Sequence, residues 1–252
     1  MIELGRTATA QPEARSAMAD PRVEEGANTD LFALGRAAWR AARDATGDRV
    51  VFARARQLLP TGAWRGPRDA ADAYVEEEDL AALGGLAGAL AVTGGVRTLV
   101  ASSIEPLPRA HAAGVRILLR VPFAADLSEP TRLARLRAIA RHAPLIDGVI
   151  PTPVGEPLGL DALRFVALCR LHAGATHVVL DFARMGHRLA QMGLGFGGNE
   201  LFGPIVSERA LRLGDNVNNP ALTRKEAALL VRGARLVPFE RVSSGAVEEV
   251  VP

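Results

Sequence analysis

The 252-residue chain is 48% hydrophobic and 23% charged with a formal net charge of +2, a globular composition that excludes a disordered or collagen-like chain. One cysteine, Cys169, excludes an internal disulfide, a Cys-only zinc site and any iron–sulfur cluster held by three or more thiolates of this chain. Acids and bases are interspersed and aromatics make up 4%, so there is none of the clustered, aromatic-interleaved basic stripe that nucleic-acid binding requires.

Residues 1–28 have no apolar period, and the start MIELGRTATAQPEAR has no apolar core of a leader; we read a flexible tail on a cytoplasmic protein. Order begins at Thr29-Asp30, which caps a helix DLFALGRAAWRAARDATG with an apolar stripe of Leu31, Leu34, Ala38, Ala41 and Ala42 and a terminal Gly47. Strands follow at RVVFAR (49–54), VRTLVASS (96–103), VRILLRVPF (115–123), IDGVIPTP (146–153) and THVVLDFA (176–183), and FGGNELFGPI (196–205) can supply another. Helices fill the gaps: EEEDLAALGGLAGALAV, PLPRAHAAG, SEPTRLARLRAIARHA, LDALRFVALCRLHAG and RMGHRLAQMGLG. The strands are continuously apolar, as parallel strands buried on both faces are. Their alternation with helices predicts right-handed βαβ units and an α/β fold, a partial or complete (β/α) TIM-like barrel or an open doubly wound sheet. The barrel spans 29–215, and 216–252 forms a C-terminal helix, opened by the T-R-K-E capping box of Thr223 and Glu226, and an extended segment packed on the barrel. No apolar run reaches the ~18 residues of a membrane span.

In either architecture the site lies at the C-terminal ends of the strands. Polar residues there are Ser102, Ser103, Glu105, Arg120, Thr152, Glu156, Asp181, Arg184, His187, Asn199 and Glu200. Arg120, Thr152 and Arg184 suit ligand hydroxyls and carboxylates. Asp181 either meets ligand or bonds a helix N-terminus; Glu105 reads as a cap and Glu156 as a solvated loop residue. The five histidines lack metal spacing, and Cys169 among FVALC reads as a buried small hydrophobe. The glycines of LGGLAGAL (83–90) read as helix packing, whereas those of GLGFGGNELFGP (193–204) either let backbone approach a ligand or form a tight turn.

The run AQMGLGFGGNELFGPIVSERALRLGDN resembles the late-barrel segment of the menaquinone (futalosine-pathway) and deazaflavin-cofactor radical S-adenosylmethionine enzymes, and LTRKEAALLVRGARLVPFER looks like their C-terminal tail. LDALRFVALCRLH and DLFALGRAAWRAARDATGDRVVF are similar to a helix and to the opening helix and strand of the same family. The resemblance implies ligand contacts at Gln191, Gly197, Gly198, Asn199 and Glu200. It also exposes a departure. The family carries Cys-x3-Cys-x2-Cys after its first strand, and here PTGAWRGPRDAADAY (60–74) stands in that place without sulfur. The family's glycine-rich stretch that cradles the methionine end of the cofactor has no equivalent in LVASSIEP either.

The resulting expectation is a radical-SAM-like barrel without its own cluster, metal or other cofactor and without radical chemistry of its own. It is linked to menaquinone biosynthesis and binds a nucleoside-like or acidic small molecule. Two other readings stand beside it: a scaffold for a cluster-bearing paralogue of the same pathway, and an acid–base enzyme using Asp181, Glu200 and His187. No nucleic acid or membrane partner is expected.

Overall fold

Asp30 caps the first helix, α1 (Leu31–Thr46), by accepting from the Ala33 amide at 2.9 Å, and Gly47 closes it at φ 63°. From there a computed structural model describes residues 30–68, 70–92, 96–155, 159–206, 221–242 and 245–251; the expected tail and Glu156 lie outside them. The strands are β1 (Arg49–Phe52), β2 (Ala55–Leu58), β3 (Trp64–Arg65), β4 (Asp72–Glu76), β5 (Thr98–Ala101), β6 (Arg116–Phe123), β7 (Gly148–Pro153), β8 (His177–Asp181), β9 (Glu200–Phe202), β10 (Ile205–Val206), β11 (Leu222–Thr223), β12 (Val237–Arg241) and β13 (Val247–Glu249). The further helices are α2 (Gly85–Ala91), α3 (Leu107–Ala112), α4 (Glu129–Ala140), α5 (Gly159–His172), α6 (Phe182–Met185), α7 (His187–Leu194) and α8 (Arg224–Gly233).

Eleven strands form one curled sheet in the order β13-β12-β1-β9-β8-β7-β6-β5-β4-β2-β3, with β10 and β11 paired apart. Every pairing in it is parallel except those of β3 and β13 at the two edges. Only residues 53 and 54 separate β1 from β2, so the run from β9 round to β4 returns to within ~10 Å of its start. The result is the expected partial (β/α) barrel, with one bent strand joining its two sides. The C-terminal strand β12 joins the sheet beside β1 (Val51↔Phe239), and the capping box of Thr223 and Glu226 opens α8.

Because strand residues alternate faces, register assigns the inside of the curl. Val100, Leu118, Ile150 and Val179 form a small buried cluster there, with Tyr74 and Phe202 against it. The larger core lies between sheet and helices and includes the stacked rings of Phe123 and Phe165, 4.5 Å apart. Two helical readings change. The segment 76–92 is not one helix, because Gly84 and Gly85 take φ 76° and 81° and split it into short turns and α2. Gly186, at φ 83°, likewise divides α6 from α7.

Candidate functional site

The inward residues fall into three layers, as barrel interiors do. At the N-terminal ends of β4, β5, β6, β8 and β9, with Arg241 reaching in from the C-terminal end of β12, lies an ion network. Glu200 accepts from Arg116 at 2.6 Å and from Arg241 at 3.3 Å, and His177 Nδ1 lies 3.1 Å from it. Arg241 is also 3.8 Å from Asp72, which accepts from the Thr98 hydroxyl. Burial alone would push the Glu200 carboxyl up, but Arg116, Arg241 and His177 hold it well below the usual carboxylate range. The apolar cluster forms the middle layer.

Above it, at the C-terminal ends, a cavity of about 570 Å³ opens, within the size range of small-molecule sites. Its charged floor is an alternating row. Arg120 on β6 forks onto Glu76 of β4 (Nη2 to Oε1 2.7 Å, Nε to Oε2 3.2 Å) and reaches Asp181 of β8 at 3.1 Å. Arg184 of α6 continues the row 3.5 Å from Asp181. Although burial pulls Arg120 down, the Glu76 and Asp181 carboxylates raise its pKa, so it is a fixed cation. Asp181 also caps α6 by accepting from the Arg184 amide at 3.2 Å. Of its two open readings the helix bond is thus present, and Asp181 also lines the cavity.

One side of the cavity is aromatic. Tyr74 and Phe202 meet edge-on at 5.1 Å, and the Arg120 guanidinium stands 5.9 Å from the Phe202 ring. Burial, and then the Glu76 charge, push the Tyr74 phenol up to about 12, which keeps it a neutral donor. The rim is the β2–β3 hairpin: Arg65 donates to Gln57 Oε1 and, with Gly66 and Pro67, lines the opening. Gly66 takes φ 127°, and a Cβ there would stand 2.9 Å from the Arg56 backbone.

Of the residues singled out by sequence, Arg120, Asp181 and Arg184 line the cavity. The others do not. Thr152 is buried and donates to the Ile150 carbonyl. Gln191 donates to the Leu230 carbonyl and fastens α7 to α8. Gly197 and Gly198 are packing glycines, pressed against Arg170 and Leu180. Asn199 is wholly buried, and its amide accepts from Arg170 and the Val178 amide and donates to Thr46 and the Thr176 carbonyl. Glu200 belongs to the opposite end of the barrel, and His187 packs beside Phe182. The contacts carried over from the resemblance are thus set away from the cavity because their polar atoms are already bonded within the scaffold. The acid–base trio is not assembled either. Ser102 and Ser103 are both tied to Glu77. Asn199→Ala should cost about 1–3 kcal/mol by stranding buried donors and leave ligand binding unchanged, which thermal unfolding with and without ligand will check.

Gln57, Arg65, Tyr74 and Glu76 were missed. The signal for two of them is present: in ADAYVE the polar Asp72, Tyr74 and Glu76 alternate with buried Ala73 and Val75, a half-polar strand hidden by its lack of a long apolar run.

Over 161 residues, 56% of this chain, the sequence is 27% identical to 5-amino-6-(D-ribitylamino)uracil–L-tyrosine 4-hydroxyphenyl transferase 1 of Methanosarcina barkeri and 24% identical to that of Methanosarcina acetivorans. The match covers 43% of those relatives' length. No protein-family model matches. Among solved structures, methylornithine synthase aligns over 82% of this chain and 89% of its own with a TM-score of 0.57 at 11% identity. The chain shares with methylornithine synthase a mixed α/β fold, a curled, mostly parallel sheet forming a partial barrel.

These findings correct two expectations. The relatives found are tyrosine hydroxyphenyl transferases and not futalosine enzymes, so the link to menaquinone is dropped. The expectation of no cofactor is also withdrawn, because the matched proteins are radical-SAM enzymes, which use an iron–sulfur cluster and S-adenosylmethionine. The donor set of this chain does not fit cluster ligation by three thiolates of its own. Residues 60–66 form the cysteine-free hairpin turn, β3 and Gly66, and Cys169 is buried on α5 with its thiol pushed up by burial. Among the described residues no three of His, Cys, Asp and Glu are grouped to hold a metal, and no helix is long and apolar enough to cross a membrane.

Proposed function

We propose that this radical-SAM-type barrel binds a small zwitterion carrying an aromatic ring at its C-terminal mouth, of the class of L-tyrosine, one of the substrates named for its relatives. The observation that carries the reading is the alternating row Glu76–Arg120–Asp181–Arg184 beside the Tyr74–Phe202 pair. Such a row offers a cation to a carboxylate and an anion to an ammonium at neighbouring positions, while ring edges and faces accept a planar group. The nucleoside-like co-substrate in the relatives' name, 5-amino-6-(D-ribitylamino)uracil, is the runner-up, its hydroxyls suited to Gln57, Tyr74 and Arg65. A second reading draws on the single buried thiol: the barrel works beside a cluster-bearing paralogue that supplies the thiolates.

A thermal-shift panel of L-tyrosine, 5-amino-6-(D-ribitylamino)uracil, adenosine and S-adenosylmethionine tests this. A ligand at about 100 times its dissociation constant adds roughly 2.7 kcal/mol. We expect a shift with L-tyrosine that Arg184→Ala removes and Asn199→Ala retains. A panel flat for every compound defeats the proposal.

A further inference from the structure

Away from the barrel mouth, α1 turns an unusual face to solvent. Phe32 and Trp39 are 67% and 42% exposed, and between and beside them stand Arg36 and Arg40, which have no hydrogen-bond or ion-pair partner among the described residues. A groove of about 340 Å³ runs along this face, floored by Gly35, Gly195 and Phe196. Its depth depends on Gly35, where a Cβ would stand 2.7 Å from the Phe196 ring. Exposed aromatics around a concave, unpaired cationic strip mark an interaction surface.

The complementary pattern lies on the same chain. β13 is an edge strand, paired only with β12. Continued to residue 251, it alternates Val247, Glu249 and Val251 onto one exposed face, the two valines at 39% and 74% exposure. Glu249 and its neighbour Glu248 have no ion-pair partner among the described residues. Phe32 and Trp39 are ~10 Å apart along the helix axis with Arg36 between; Val247 and Val251 are ~13 Å apart along the strand with Glu249 between. Both faces read apolar–charge–apolar, with opposite charge.

We infer that a second copy of this chain is the occupant: its β13 face lies in the α1 groove, with valines on the aromatics and Glu249 on Arg36 and Arg40. Because the two faces are different patches, each copy offers both halves of the contact, which can pair reciprocally with one partner or propagate head-to-tail. Light scattering on the full chain, from low to high micromolar concentration, tests this. The average mass should rise above 26.6 kDa with concentration and fall back in high salt. The surface variant R36E/R40E and the variant E248R/E249R should each remain monomeric alone. An equimolar mixture of the two should associate, since the unreversed groove of one then meets the unreversed strand face of the other and the two reversed faces are complementary as well. The chain carrying all four reversals should associate again. A mass fixed at the monomer in every condition gives the groove to another partner and overturns the proposal. Association of either two-residue variant alone, or a mixture or four-fold variant that fails to associate, overturns the pairing of these two faces.

Discussion

Glu200→Gln should lower the stability of the fold by about 3–5 kcal/mol, the usual consequence of removing one member of a buried ion network. The carboxylate is 3% exposed and faces Arg116, Arg241 and His177 together. Glutamine keeps the shape but leaves the two half-buried guanidinium groups with Asp72, 3.8 Å from Arg241, and the charge of Asp147 as their remaining acidic neighbours. Urea unfolding reads the change as a lower midpoint with an unchanged slope. The pH dependence has a definite sign. Because the folded-state pKa is depressed, this carboxylate contributes stability that is full above the ordinary carboxylate value and is lost as pH falls through the folded value. The gap between wild type and Glu200→Gln should therefore be widest near neutrality and narrow below the ordinary carboxylate range. A gap independent of pH would show that Glu200 acts through packing and not through charge.

Arg120→Met should cost a similar ~3–5 kcal/mol and also abolish ligand binding, because this side chain is both the keystone of the charge row and a wall of the cavity. Methionine fills much of the volume but strips Glu76 of its forked cation and leaves Asp181, like Glu76 largely buried, with only the half-exposed Arg184 beside it. Restoring charge with Arg120→Lys should recover part of the stability. It should recover little of the binding, since an ammonium cannot fork onto Glu76 while reaching Asp181. Equilibrium unfolding and ligand titration of the same samples separate the two effects.

The parallel strands were readable because their continuous apolar runs, VRILLRVPF above all, satisfy the condition for burial on both faces. The floor of the site was partly readable for a related reason. An arginine inside such a run, as in Arg120, or an aspartate at its end, as in Asp181, must face the barrel interior or its mouth. The β2–β3–β4 side was not readable. Its strands carry Gln57, Asp72, Tyr74 and Glu76 inward, so their period-two signal is polar on the very face that a hydrophobic pattern would mark. Asn199 and Glu200 misled for the opposite reason. A polar pair in a glycine-rich turn suits a ligand loop and a scaffold junction equally, and only the positions of Arg170, Arg116 and Arg241, distant in sequence, decide between them. No spacing along the chain carries that information.

The central claim is that the charged, aromatic-walled mouth of the barrel is a binding site. Calorimetric titration of the compound giving the largest thermal shift, into wild type, Asp181→Asn and Asn199→Ala, tests it most directly. One site per chain is expected, with affinity lost in Asp181→Asn and retained in Asn199→Ala despite that variant's lower stability. Binding that is indifferent to Asp181 but lost with Asn199 would place the ligand at the other end of the barrel and contradict it.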